Sequence, residues 1–281
     1  MKHFIVLFIL LSTGLIHAQS GWTRAQKALF VKADYSALTG NKYYDADHVQ
    51  FTTPDFKQAS INVYAEYGLT DRWTFMLFAP VFKTNQFENT ESASGLGDLR
   101  FESKYRLTSM TLPVAFSLGV ELPTGKKHAL VEATDGSMTT QDLPLGTGAL
   151  GLHATLAISK SYHRMYGSAF AAYQYRSKFE GQDLLDAFSV GLEWGYQIID
   201  PLWFNVKMRS QFRAGTLEGP TLNFLRNNGT TYTLLSGELY YRFLNQWGIT
   251  ATYIGGGEIF TKFRNVYANP MLSLGVIYQM E

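Results

Sequence analysis

The sequence predicts an all-β fold: a transmembrane, antiparallel, up-and-down β-barrel of twelve strands. Three observations carry this expectation. Apolar and polar residues alternate with a period of two along most of the chain, and the links between the alternating segments are short and long by turns. Beyond the first twenty residues, no apolar run approaches the roughly 18 to 20 residues that a membrane helix needs, so a membrane-embedded chain would have to cross with strands. Composition agrees. Of 281 residues, 17% are charged, 46% hydrophobic and 15% aromatic, against roughly 25% charged in soluble domains. The absence of Cys excludes a disulfide scaffold, a thiolate metal site and a cysteine nucleophile. Lys and Arg number 24 against 23 Asp and Glu. A nucleic-acid partner would call for a basic excess, and none is expected.

Residues 1–18 read as an export signal. Met1-Lys2-His3 precedes the apolar run Phe4 to Leu11, and the segment ends at His17-Ala18, the layout of a charged start, a short apolar core and a small residue at the cleavage site. Its loss leaves equal numbers of basic and acidic side chains. Residues 19–281 are then expected to form one outer-membrane barrel domain.

The twelve alternating segments follow in order, near 26–36, 57–68, 73–83, 95–107, 112–122, 145–158, 162–176, 187–199, 202–214, 231–243, 247–258 and 270–280. The second sets Ile61, Val63, Ala65 and Tyr67 against Ser60, Asn62, Tyr64 and Glu66. The fourth, GLGDLRFESKYRL, is the clearest: Leu99, Phe101, Ser103, Tyr105 and Leu107 on one face, Asp98, Arg100, Glu102, Lys104 and Arg106 on the other. A helical period of 3.6 would scatter both sets around the axis, so the segment is a strand between two different solvents. The eighth and ninth repeat the pattern, with Phe188 to Ile198 against Ser189 to Gln197 and Leu202 to Phe212 against Asn205 to Arg213. Lengths of about 10 to 14 residues exceed the five or six of ordinary strands and suit a tilted bilayer crossing.

Short links at 70–72, 108–111, 159–161, 200–201 and 245–246 alternate with long ones near 37–56, 84–94, 123–144, 177–186, 215–230 and 259–269. Short periplasmic turns and long outside loops are the layout of outer-membrane barrels. Trp73, Trp203 and Trp247 follow short turns and Trp22 precedes the first strand. All four are expected at the periplasmic rim, where amphipathic rings collect; Trp203 falls on the lumenal phase, so covering a core edge stays open for it. A secreted soluble sandwich would reverse the faces, apolar rows inward and charges outward; strand length, low charge and the regular link pattern oppose it.

With the polar phase inward, the lumen is expected to hold Lys32, Asp34, Glu66, Asp98, Arg100, Glu102, Lys104, Arg106, Glu121, Arg164, Arg176, Glu193, Lys207, Arg209, Arg213, Glu238 and Arg242. Two readings of this set stand open. It is either a salt-bridge network that fills a narrow lumen, or a watered path, with Lys207, Arg209, Arg213, Arg100, Lys104 and Arg106 favouring anions or orienting a polar group. Aromatics of the same phase, Tyr64, Phe78, Phe82, Tyr166, Phe170 and Tyr240, are either a slide for an apolar ligand or simple lumen filling. Gly255-Gly256-Gly257 lacks the strand-to-helix context and Lys-Ser/Thr pair of a phosphate loop, and the loop carboxylates show no metal-ligand spacing. No metal, cofactor or catalytic residue is expected. A lipid hydrolase would need a Ser beside a His at the membrane rim, and His153 has Thr155 as its same-face neighbour.

Three segments carry a family resemblance: YGLTDRWTFMLFAPVF at 67–82, GLGDLRFESKYRL at 95–107 and GVELPTG at 119–125. They resemble the outer-membrane β-barrel family named for the MetA pathway of phenol degradation. Membership implies a bacterial outer-membrane channel or facilitator for small, hydrophobic or aromatic molecules, with membrane lipids and a small-molecule solute as partners. The alternatives are a structural, loop-displaying barrel with a closed, salt-bridged lumen, and an outer-membrane lipid hydrolase.

Overall fold

The computed structural model describes residues 20–215 and 224–281. The expected export signal lies outside the described residues.

Among the described residues sixteen strands run in chain order: β1 (Leu29–Tyr44), β2 (Gln50–Thr70), β3 (Trp73–Phe87), β4 (Ala93–Gly95), β5 (Leu99–Arg106), β6 (Val114–Leu122), β7 (Leu130–Glu132), β8 (Thr140–Asp142), β9 (Gly151–Tyr162), β10 (Met165–Arg176), β11 (Asp186–Ile199), β12 (Leu202–Ala214), β13 (Tyr232–Arg242), β14 (Trp247–Gly256), β15 (Val266–Tyr267) and β16 (Met271–Met280). Twelve of them form one closed antiparallel barrel. Each pairs with its neighbour in the order β2, β3, β5, β6, β9, β10, β11, β12, β13, β14, β16, and β1 closes the ring by pairing with both β16 and β2. Closure leaves no long edge with unpaired backbone groups, which a membrane does not tolerate.

The alternation resolves into two faces. On β1, Phe30, Lys32, Asp34 and Ser36 are buried inside; on β11, Ser189 and Glu193 point in while Phe188, Leu192 and Trp194 point out. Leu192 and Leu274 are 53% and 64% exposed, and they belong to a belt of outward Leu, Ile, Val and Phe around the barrel. No soluble fold leaves so much large apolar surface on its strands; lipid is the solvent it fits. Trp73, Trp194 and Trp247 join the belt near the short-turn end, with Trp73 edge-on to Tyr105, Trp194 stacked on Tyr196 and Trp247 against Tyr278.

The structure corrects the sequence reading in five places. First, the predicted link 37–56 is mostly strand: β1 and β2 continue as a hairpin whose turn, 45–49, is held by Asp45 Oδ1 accepting from Asp47 N at 2.8 Å and Val49 N at 2.9 Å. Second, the sixth segment begins at Gly151, and residues 145–150 belong to the outside loop. Third, the turn expected at 159–161 falls at 163–164, which puts Arg164 in an exposed turn instead of the lumen. Fourth, Phe82 faces outward at 44% exposure. Asn62 pairs with Pro80 but Ile61 with Phe82, so Val81 is an extra residue, a β-bulge. One inserted residue reverses the phase of every side chain beyond it, turning Phe82 out and Lys83 and Asn85 in. Fifth, Trp22 is not at the membrane interface. It is 6% exposed inside the barrel. Trp203 also turns inward, against lumenal apolar residues.

Candidate functional site: the lumen

At the periplasmic end the lumen is closed by the chain's own segment 20–26. Trp22 meets Tyr166 edge-on, centroids 6.0 Å apart, and Lys104 Nζ donates to the Trp22 carbonyl at 3.4 Å. Arg24 Nε reaches Glu66 Oε2 at 2.6 Å, with its guanidinium 4.5 Å from the Phe30 ring centroid. Backbone N–H groups of the segment donate to side chains, Gly21 to Ser159 Oγ, Arg24 to Thr74 Oγ1 and Gln26 to Asp71 Oδ1, at 2.8 to 2.9 Å. Arg106 Nε holds Thr23 Oγ1 at 3.2 Å. Gly21 has to be glycine here, because a Cβ would lie 2.0 Å from the Pro113 carbonyl oxygen.

Beside this segment lies an apolar layer of Phe30, Tyr64, Met76, Tyr240 and Ile277, with Phe78 and Trp203 packed on it. An ionic layer adjoins it. Glu238 accepts from Lys32 Nζ and Lys207 Nζ, each at 3.3 Å, and from Asn205 Nδ2 and Thr252 Oγ1, each at 3.1 Å. Glu193 sits 3.9 Å from Lys207 Nζ and accepts from Tyr166 Oη at 2.5 Å. A charge this deep costs several kcal/mol to desolvate unless opposite charges and donors surround it. Glu238 has all of them.

The aromatic row divides. Tyr64, Tyr166, Phe170 and Tyr240 are buried. Tyr166 lies over Gly195, its cross-strand partner on β11, and Phe170 over Gly191, where an added Cβ would come within 2.0 and 2.2 Å of the respective rings. Rings laid flat on glycines cover gaps in the wall. Phe78 carries the Arg100 guanidinium on its face at 3.9 Å.

The outer half is different. A cavity of about 290 Å³ lies between Lys83 of β3, Arg100 of β5, Glu121 of β6, His153 of β9, Gln174 of β10 and Arg209 of β12. Asp98 is held at its edge by Gly125 N, Thr147 N and Thr147 Oγ1 at 2.6 to 2.9 Å. Over it fold Leu145, Gly146 and Thr147 from the 123–150 loop and Leu225 of a short 3-10 helix, Phe224–Arg226. Leu143, Leu145, Ala93 and Val131 form the apolar core of this cover, and Phe224 packs on Phe56, Tyr43 and Tyr267 of the wall. A polar clasp ties the loops together. His128 Nδ1 lies 2.8 Å from Asp142 and Nε2 lies 3.0 Å from Glu180, Lys127 reaches Glu180 at 3.2 Å, and Arg226 stacks on Phe179 at 4.0 Å. The two carboxylates, Asp142 foremost, hold the His128 pKa above its usual value.

The basic row predicted from the sequence is dispersed through the lumen. Lys207 belongs to the ionic layer, Lys104 and Arg106 bind the periplasmic segment, and Arg213 stands near Arg264 at the outer rim; outside the row, Arg242 pairs with Asp200 at 3.0 Å by a short turn. Arg100, 3.0 Å from Glu102, and Arg209 are the two that share the cavity. His153 lies inside it, 3.4 Å from Glu121, away from the lipid rim where a lipid hydrolase would work.

Comparison of the whole structure finds solved barrels. The COG4313 outer membrane channel from Pseudomonas putida F1 matches over 92% of this chain and 98% of its own, with a TM-score of 0.68 and 14% identity. The fold is that of an outer-membrane β-barrel. The NanC porin follows at TM-score 0.54 and 11% identity, covering 90% of this chain and 100% of that one. The translocator domain of autotransporter NalP from Neisseria meningitidis gives 0.53 and 14%, over 92% and 91%. No protein-family model matches the chain and no curated protein is similar to it, so the family resemblance rests on residues 67–82, 95–107 and 119–125 alone.

Sequence reasoning missed three parts of this interior. Residues 20–26 have no periodicity to mark them as lumenal. Lys83 is brought inside only by the bulge at Val81. Leu145, Thr147 and Leu225 come from loops, whose path back over the barrel mouth leaves no local signal beyond a few apolar residues among polar ones.

Proposed function

We propose that the protein is a channel or facilitator of the bacterial outer membrane for small solutes, hydrophobic or aromatic molecules among them. One observation carries the reading: the periplasmic seal, residues 20–26, is not part of the wall. Its N–H groups at Gly21, Arg24 and Gln26 are satisfied by side chains and not by a strand, so the segment can leave without breaking a hydrogen bond between wall strands, and beyond the apolar and ionic layers stands a polar cavity. The likeness to a channel and to a porin supports the reading. A second reading, a closed structural barrel, is favoured by the ionic layer, where Lys32, Lys207 and Glu238 are buried and mutually neutralised.

Planar-bilayer conductance and liposome swelling separate the two. The channel reading expects measurable solute flux in the full chain and a severalfold higher conductance in a chain lacking residues 20–26. Silence from both chains across solutes of different size and polarity, with barrel formation verified by heat-modifiable gel migration, establishes the closed barrel instead.

A further inference from the structure

We propose that the outer half of the lumen is a binding site for a small organic monocarboxylate, with Arg209 as its principal donor and Lys83 beside it. The proposal deepens the channel reading and depends on it only for how the solute travels onward.

The cavity presents donors whose acceptors are missing, and its own acceptors are already used. Among the described residues Arg209 makes one long hydrogen bond, Nη2 to Ser189 Oγ at 3.4 Å, its buried Nε has no acceptor, and it forms no ion pair. Lys83 Nζ is met by the Leu145 carbonyl at 3.3 Å. Next to them Arg176, 4% exposed, also has an Nε without an acceptor, while its terminal nitrogens reach the Asn227 carbonyl at 2.6 Å and Gln174 Oε1 at 3.1 Å. The carboxylates nearby are engaged elsewhere: Asp98 accepts three hydrogen bonds from the loops, and Glu121 lies against His153. Buried donors without acceptors are costly, and an oxygen anion relieves the cost better than a neutral group does.

The shape of the site selects the class of anion. A guanidinium fork matches the two coplanar oxygens of a carboxylate. Pro80, Leu145 and Leu225 line the same cavity and give an apolar surface for the body of the acid. About 290 Å³ is at the small end for ligand pockets, which excludes an oligosaccharide. Asp98 and Glu121 in the wall repel a second negative charge, so a monoacid fits and a diacid does not.

The test compares benzoate with its neutral isostere benzamide, binding to the detergent-solubilised full chain by titration calorimetry at fixed ionic strength. Benzoate is expected to bind at least tenfold more tightly. Arg209→Gln, checked for unchanged heat-modifiable migration, is expected to erase that preference, and Lys83→Met to reduce it about threefold. Equal binding of the two probes by the unaltered chain overturns the proposal whatever the variants do, as does a preference that survives Arg209→Gln. The two readings fail separately. Benzoate binding without flux removes the channel and keeps the site; flux without a benzoate preference removes the site and keeps the channel.

Discussion

The two halves of the lumen share one wall and differ in what meets its charges. In the periplasmic half, Lys32, Lys207, Glu238 and Glu193 are set within reach of each other, an apolar layer adjoins them, and Trp22 and Arg24 fill the mouth. In the outer half, Arg209 and Lys83 find neutral oxygens at long distance, and a cavity remains between the strands. Cross-strand neighbours account for the difference. Glu193 lies directly opposite Lys207 on the adjacent strand, whereas Arg209 lies opposite Gly191 and Leu234. A charge with an opposite charge in register builds a solid layer, and one flanked by glycine and leucine has no counter-charge in register.

The largest test of this contrast is Glu238→Ala. Removing the carboxylate leaves Lys32 and Lys207 buried together without their shared acceptor, and a broken buried pair costs about 3 to 5 kcal/mol; urea unfolding in detergent micelles reads it. A loss near zero would mean that the layer is hydrated and the halves alike. Gly195→Ala comes next. The new methyl would lie 2.0 Å from the Tyr166 ring, and overpacking of this kind costs about 1 to 3 kcal/mol. The same substitution should raise conductance by displacing Tyr166 from Trp22 and Glu193. Glu121→Gln in the outer half should cost about 1 kcal/mol or less, because its contact with His153 is long, 3.4 Å, and glutamine keeps the shape and an acceptor oxygen.

The smallest effect concerns the loops over the outer mouth. The His128 pKa is raised above its usual 6.5 by Asp142 and then Glu180, so the imidazolium contributes fully below about pH 6.5. The contribution is lost as pH rises through the raised value. On the acid side the Glu180 pKa is lowered by His128 and Lys127, and its share is lost only as pH falls through that lowered value. Amide exchange at 127–143 and 178–182, corrected for intrinsic rate, should therefore quicken on the alkaline side while the barrel strands stay protected. NMR titration of His128 at its ordinary pKa would remove the clasp from the account.

The strand phase was legible because two unlike solvents wrote it into every second residue. Asp98 to Arg106 against Leu99 to Leu107 needed no tertiary information, and twelve segments, short turns and long links follow from the same rule. What was not legible depends on single residues or on nonlocal paths. Val81 reverses the phase of β3 without breaking the apolar run Phe75 to Phe82, so Phe82 reads as lumenal and stands in lipid. Trp22 has the sequence neighbourhood of an interfacial tryptophan; only its approach to Tyr166, 144 positions later in the chain, reveals it as a stopper. The basic row Arg100, Lys104, Arg106, Lys207, Arg209 and Arg213 looked continuous in one dimension. The barrel distributes it over four environments.

The stopper also depends on an assembled wall. Its partners Glu66, Asp71, Thr74, Lys104, Arg106 and Ser159 belong to β2, β3, β5 and β9 and to the turn between β2 and β3, and none is in position until those hairpins stand side by side. The seam that closes the ring joins β16 to β1, and none of these partners lies on β16. A seated Trp22 therefore reports that β2 to β10 stand in register, and the seam is joined independently of it.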